Sequence, residues 1–215
     1  MNIQKRVTQM TKKAIIVGAF HEIIELVEES DIEIFGLIDN QKIGTYRNYP
    51  VLCNDINASE LPSEYKLVPL IITPDQPSVR CSLNYFYRDL GFNFVSLISR
   101  NAKISKSASV DNGTIIQHGV NISSEVNIGK FIKLNTACNI MHNVIIGDFT
   151  TIAPNAVVLG NVKIGKSCYI GSNATILPNI EICDCVIVGA GAVVTKNILH
   201  PGTYVGIPAL RRKTN

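Results

Sequence analysis

The chain has 215 residues, of which 17% are charged, and a formal net charge of +3. Charge this balanced leaves no footprint of a nucleic-acid binder and no polybasic membrane patch, so the expected partners are small molecules or further copies of the chain. Met1 to Lys13 is polar, with no apolar stretch behind its basic residues, and no later apolar run reaches the roughly 18 residues of a membrane span; a soluble, cytoplasmic protein is expected.

In chain order, Ala14 to Gly18 reads as a buried strand, His21 to Ser30 as a short amphipathic helix and Ile32 to Asp39 as a second strand. Leu67 to Thr73 is a further strand candidate despite Pro69. Pro77 to Leu90 follows as a second helix and Phe92 to Ile98 as a last strand. Strands alternating with helices predict parallel crossovers and a small α/β, Rossmann-like domain over residues 1–98. Gly18 then stands where such a unit meets phosphate or ribose. Asp39 ends the second strand, where a carboxylate can accept from a ribose or base, and His21 lies in the intervening loop. The stretch Gly18-Ala19-Phe20-His21-Glu22 lacks the later glycines of a dinucleotide turn, which argues against NAD; a nucleotide-sugar role and a purely structural domain both stay open.

Six cysteines, Cys53, Cys81, Cys138, Cys168, Cys183 and Cys185, match neither zinc-knuckle nor disulfide-scaffold spacing and are expected as reduced small hydrophobes. Cys183 and Cys185 form the one close pair, half a zinc site at most, so no metal is expected.

From Ile104 the pattern changes to a repeat with a period of six. Its apolar anchors run Ile104, Val110, Ile116 and so on without a break to Val194, sixteen hexads in all. Four places after each anchor stands a second series, from Ala108 and Thr114 to Ala192 and Ile198, in which every member is small or β-branched. No helix has this period. A coil with three flat sides explains both series: each hexad lays down a short strand with its anchor inward, the second series fills the narrow corner, and three hexads close a turn. The expected C-terminal domain, residues 99–215, is therefore an all-β left-handed parallel β-helix of a little over five coils.

These repeats resemble the hexapeptide-repeat acyltransferases. The order of a small Rossmann-like domain, an uninterrupted helix, the segment Asn135-Thr136-Ala137 to Met141-His142-Asn143-Val144-Ile145-Ile146-Gly147-Asp148, and a terminal Val205-Gly206-Ile207-Pro208-Ala209 is similar to one branch of them. That branch comprises bacterial N-acetyltransferases of nucleotide-linked 4-amino-4,6-dideoxy sugars, with the sialic acid O-acetyltransferases as relatives. The resemblance implies an acetyl-CoA-dependent acyltransferase without a metal, working as a homotrimer on a nucleotide sugar. O-acetylation of a sialic acid is the alternative acceptor chemistry, and a non-catalytic β-helix scaffold is the alternative class.

Acetyl transfer from a thioester needs a neutral amine or an activated hydroxyl, hence a base near ambient pH beside the nucleophile. Of four histidines, His142 stands on the outer surface beside an inward anchor, with no apolar reason to be there, and the resemblance places the catalytic base at this position. His118 has the same hexad position but precedes His142 by one coil and one side, which puts it on another side of the prism; His200 reads as a loop residue. Asn143 replaces the Asp or Glu that the family commonly carries after the histidine, and an amide can orient an imidazole without supplying charge. Thr151 matches a second family position, often histidine, near the acetyl carbonyl. Gly160 follows His142 by one full coil, so its N–H either stabilises the thioester oxyanion or the residue simply eases a corner. The resemblance further implies that the pantetheine arm meets backbone groups near Ser172 and Ala190 and that Gly206, Ile207, Pro208 and Ala209 meet the adenine end. Arg211-Arg212-Lys213 is either a phosphate contact or a solvated tail.

Overall fold

A computed structural model describes residues 12–62, 65–68 and 77–212. The sequence readings on residues 1–11, 69–73 and Lys213 fall outside these.

The N-terminal unit is a five-stranded sheet. Its elements are β1 (Lys12–Val17), α1 (His21–Glu28), β2 (Ile32–Ile38), β3 (Thr45–Tyr46), β4 (Tyr49–Cys53), β5 (Lys66–Val68) and α2 (Pro77–Asp89), with a 3₁₀ helix over Asp55–Glu60. Strand order is β3-β4-β2-β1-β5, parallel except for the β3/β4 hairpin. The continuous run Ala14 to Val17 is buried on both faces because α1 covers one and α2 the other, with β2 and β5 along its edges. Alternation divides it: Ala14 and Ile16 join Ile23, Ile24, Leu26 and Val27 of α1, while Ile15 and Val17 face Tyr87 of α2. The hairpin was not expected; Arg47 and Asn48 turn it with φ of 49° and 70°, a pair of left-handed residues that suits a two-residue connection.

The strand expected over Phe92 to Ile98 does not belong to this sheet. Phe94 makes a single bridge to Leu67, and the only strand there, Leu97–Ile98, pairs with Ile115–Ile116. Stacking of the second unit thus begins at Leu97, and the two units share a core: Leu97 and Ile115 pack in the same cluster as α1.

Beyond it, the strands from Lys103–Ile104 to Val193–Val194 each end on one of the sixteen anchors. They stack coil upon coil into three parallel faces. One face has six strands and runs from Ile104 through Ile122, Ile140, Val158 and Ile176 to Val194. A second has five, from Val110 to Ile182. The third has eight, including Leu97–Ile98 and the C-terminal strands Gly202–Val205 and Leu210–Arg211. This is the triangular prism expected for a left-handed β-helix. The corner series is buried as expected, from Val120 and Val126 to Val186 and Ala192. At Gly171 a Cβ would stand 2.6 Å from the Ala190 backbone nitrogen, so adjoining coils there leave no room for a side chain.

Two features lie beyond the hexad rule. From Gly113 to Gly191 every sixth position has φ between 54° and 72°, and five of these are asparagines, Asn143, Asn155, Asn161, Asn173 and Asn179; Gly and Asn enter this left-handed region at least cost. The register then shortens at the C-terminus: Val186 pairs with Gly202 and Ile182 bridges Ile198, each two positions short of a full coil.

Candidate active site

The corner between the six- and five-stranded faces carries His142. The anchor Ile140 is fully buried, and the chain turns outward after it, exposing the imidazole to solvent. Asn143 takes the left-handed corner conformation, φ 59°, and its Oδ1 lies 3.0 Å from His142 Nδ1. Oxygen can only accept, so this bond selects the tautomer protonated on Nδ1 and leaves the Nε2 lone pair free to take a proton. One coil on, Gly160 lies beneath the ring: a Cβ there would stand 2.5 Å from Cε1 and 2.6 Å from Nε2 of His142. The coils are tied at this point by Asn161 N–H donating to the His142 carbonyl at 3.0 Å and Asn179 N–H to that of Gly160, neither of which uses the Gly160 N–H. His142, Asn143 and Gly160 therefore form one cluster.

The other positions sort differently. Ser172 and Ala190 are stacked one coil apart on a different corner, between the eight- and six-stranded faces, where Gly191 N–H donates to the Ser172 carbonyl at 2.8 Å. His118 is exposed on that same corner. The segment Gly206 to Ala209 packs against the end of the six-stranded face: the Gly206 carbonyl accepts from Val193 N–H, and Ala209 N–H donates to the Val193 carbonyl. Ile207 stays 77% exposed. Arg211 is already engaged, its Nη2 donating to the Pro201 carbonyl at 2.8 Å.

Thr151 departs from expectation. It is on the eight-stranded face and only 5% exposed, because α2 lies over it. Arg80 Nη1 donates to Thr151 Oγ1 at 3.2 Å, and another guanidinium N–H donates to the Phe149 carbonyl. In this chain the threonine anchors a helix and is closed to a thioester. Burial lowers the Arg80 pKa to about 10 and that of neighbouring Lys133 to about 8. No periodicity pointed to Arg80, whose partner stands in the other unit.

In the N-terminal unit, Gly18 and Asp39 meet at a pocket of about 180 Å³ at the carboxyl ends of β1 and β2, completed by Asn40, Gln41 and Asp55. The Asp39 carboxylate is heavily used. Oδ2 accepts from Ala19 N–H at 2.8 Å, and Oδ1 from the Gln41 and Lys42 N–H groups at 2.9 and 2.8 Å. Burial pushes this carboxyl up, but the three N–H donors and Lys42 together outweigh it and hold its pKa below the usual value. His21 is exposed at the start of α1, against the Phe20 ring, and does not line the pocket. Among the described residues no group of three or more His, Cys, Asp or Glu is placed to hold a metal ion, and no helix is long and apolar enough to cross a membrane.

The model of the bacterial transferase hexapeptide, six repeats, matches residues 161–196. The chain carries hexapeptide repeats of this kind. Among solved structures, a mutant of perosamine N-acetyltransferase from Caulobacter crescentus, in complex with CoA and GDP-perosamine, superposes with a TM-score of 0.87 at 24% identity, covering 94% of this chain and 97% of that one. The acetyltransferase domain of PglB from Neisseria gonorrhoeae, in complex with acetyl coenzyme A, gives 0.85 at 24% identity over 94% and 100%. WeeI from Acinetobacter baumannii gives 0.82 at 27% identity over 93% and 100%. The hexapeptide-repeat chain has no match among curated proteins by sequence. The likeness to these structures therefore extends across both of its units.

Proposed function

We propose that this hexapeptide-repeat protein is an acyltransferase that moves the acetyl group of acetyl-CoA onto the amine of a nucleotide-linked amino sugar. The observation that carries the reading is the His142 cluster: an exposed imidazole, fixed over Gly160, with Nδ1 tied to Asn143 and Nε2 open. In this scheme the amine nitrogen attacks the thioester carbonyl and Nε2 takes the proton the nitrogen sheds. The C–S bond breaks as the carbonyl re-forms, and the departing thiolate takes up a proton. The Gly160 N–H is the candidate donor to the oxyanion. Support for the donor and acceptor comes from the enzymes that share the fold along nearly their whole length, one holding CoA with GDP-perosamine and one acetyl coenzyme A.

Residues 1–98 take the role of the nucleotide-holding domain, with the pocket at Gly18 and Asp39 receiving the nucleoside. Asn40 and Asp55 also line the pocket and are already joined, Asn40 Nδ2 donating to Asp55 Oδ2 at 2.6 Å and Asp55 N–H to Asn40 Oδ1 at 2.9 Å, so the nucleoside would meet their remaining amide N–H and lone pairs. The acyl donor lies along the β-helix, residues 99–215, with Ser172, Ala190 and the Gly206 to Ala209 segment on its path. Within one subunit these positions and His142 are on different corners, so a complete site draws on two adjacent subunits of a homotrimer. A turnover screen of acetyl-CoA with UDP-, dTDP- and GDP-linked amino sugars and free sialic acids, read by thiol release, tests the reading. Turnover with an amino sugar is expected. Activity confined to sialic acids would replace N- with O-acetylation, and none with any acceptor would sink the enzyme reading.

A further inference from the structure

The corner joining the five- and eight-stranded faces, one hexad along the chain from the His142 corner, carries a charge ladder that the proposed acetyl transfer does not use. Its stacked positions, one coil apart, are Asn112, Lys130, Asp148, Lys166 and Asp184. Asp148 Oδ1 accepts from Lys130 N–H at 2.9 Å while its Oδ2 lies 3.7 Å from Lys166 Nζ, and Asp184 Oδ1 accepts from Lys166 N–H at 2.7 Å. Lys166 is thus flanked by two carboxylates. Lys130 ends the ladder against the uncharged Asn112, and its ammonium makes no ion pair among the described residues. Helix α2 brings Arg88 to the same place, also without an ion pair there.

Two cavities, about 220 and 160 Å³, open between α2 and this corner, and Arg88, Lys130 and Phe131 line both. Phe94 walls the first; Tyr85 and Phe149 wall the second. Phe131 stacks on Phe149 with centroids 5.2 Å apart and planes 10° from parallel, and Phe94 meets Phe131 edge-on. Both stacked phenylalanines occupy left-handed corners, φ 55° and 61°, which bulky residues seldom adopt. Room for Phe131 is made by Gly113, where a Cβ would stand 2.4 Å from its ring.

Two cations lining one aromatic-walled groove, with the one carboxylate there already held by Lys130 N–H and Lys166, match an anion of more than one charge attached to an apolar or planar body. We infer that this groove binds a small phosphate monoester, its phosphate between Arg88 and Lys130 and its planar part against Phe149 and Tyr85.

Calorimetric titration of the full chain at low salt with phenyl phosphate, inorganic phosphate and benzoate tests this. Phenyl phosphate is expected to bind most tightly. Arg88→Gln and Lys130→Gln should each weaken it about 10-fold or more, the loss of one charge-assisted contact, with melting temperature and acetyl transfer unchanged. Phe149→Leu should bring phenyl phosphate toward inorganic phosphate and leave the latter's affinity alone, which separates the ring's part from the charges'. Failure of the folded wild type to bind phenyl phosphate overturns the inference. So does wild-type affinity in both charge variants, or benzoate binding tighter than phenyl phosphate.

Discussion

Replacing Gly160 by alanine displaces the proposed base without removing any of its chemistry. The added Cβ would stand 2.5 Å from Cε1, 2.6 Å from Nε2 and 3.1 Å from Nδ1 of His142. Ordinary carbon contacts are about 3.5–4.0 Å, so the ring must retreat by about 1 Å. Gly160 has no positive φ in the way of alanine, the N–H is kept, and the imidazole is exposed and free to swing outward. Fold stability should therefore change little. Catalysis should not be so tolerant, since a misplacement of about 1 Å costs on the order of 10²-fold. Acetyl-dependent thiol release by Gly160→Ala is expected to fall by about that factor in kcat, with the KM for acetyl-CoA and the melting temperature near wild type. The double variant with His142→Ala should be no worse than His142→Ala alone, because a displaced base and an absent one are not separate losses. Wild-type kcat in Gly160→Ala, or additive losses in the double variant, would refute the placement of the reactive imidazole over this glycine.

Alone, His142→Ala should lower kcat by about 10²–10⁴-fold while both substrates still bind, and raising the pH should partly restore an amine acceptor, whose neutral form then needs no base; kcat against pH with the identified acceptor checks both parts. Asp39→Ala removes the acceptor of three backbone N–H donors. It should cost about 2–3 kcal/mol in denaturant unfolding and raise the KM of the nucleotide sugar more than that of acetyl-CoA; an unchanged midpoint would deny the carboxylate its structural part. Because the Asp39 pKa is lowered in the fold, its contribution is present above the unfolded carboxylate pKa and lost as pH falls through the folded one, so variant and wild type should converge in acid. Lys133, with its pKa brought down to about 8 chiefly by burial, works the other way: between about pH 8 and the unfolded lysine value of 10.5 the unfolded chain holds the extra proton, and stability rises with pH. Lys133→Met should abolish that rise and be more stable than wild type at pH 7 by about 1–3 kcal/mol, as read by urea melts at both pH values. Light scattering should find a trimer; an active monomer would show that one subunit's corners suffice.

The β-helix is legible in the sequence because its rule is local and repeated: an anchor at every sixth position and a small residue four places on define strand, corner and the three-hexad coil. The same arithmetic places Gly160 one full coil after His142, beside it on the same corner. What it did not contain was the conformation of the corners. The left-handed φ that explains Asn143 belongs to a series spelled partly by Asn and Gly and partly by Phe131, Phe149 and Glu125, residues whose identities hide it. The βαβ alternation likewise marked β1, α1, β2 and α2, but the β3/β4 hairpin, with short strands and an Arg-Asn turn, carried no comparable signal.

Only the tertiary structure decided how the two units meet. That Phe92 to Ile98 ends as the first rung of the β-helix, that Thr151 is sealed by Arg80, and that Asp39 spends its oxygens on its own loops all follow from contacts that no local pattern spans. The sequence determined which side chains point in and which repeat above one another, because alternation and period act between near neighbours. Which outward-facing side chains remain open to a ligand was settled by where α1 and α2 come to rest on the coils, and that depends on burying two apolar surfaces at once, which short-range periodicity does not record.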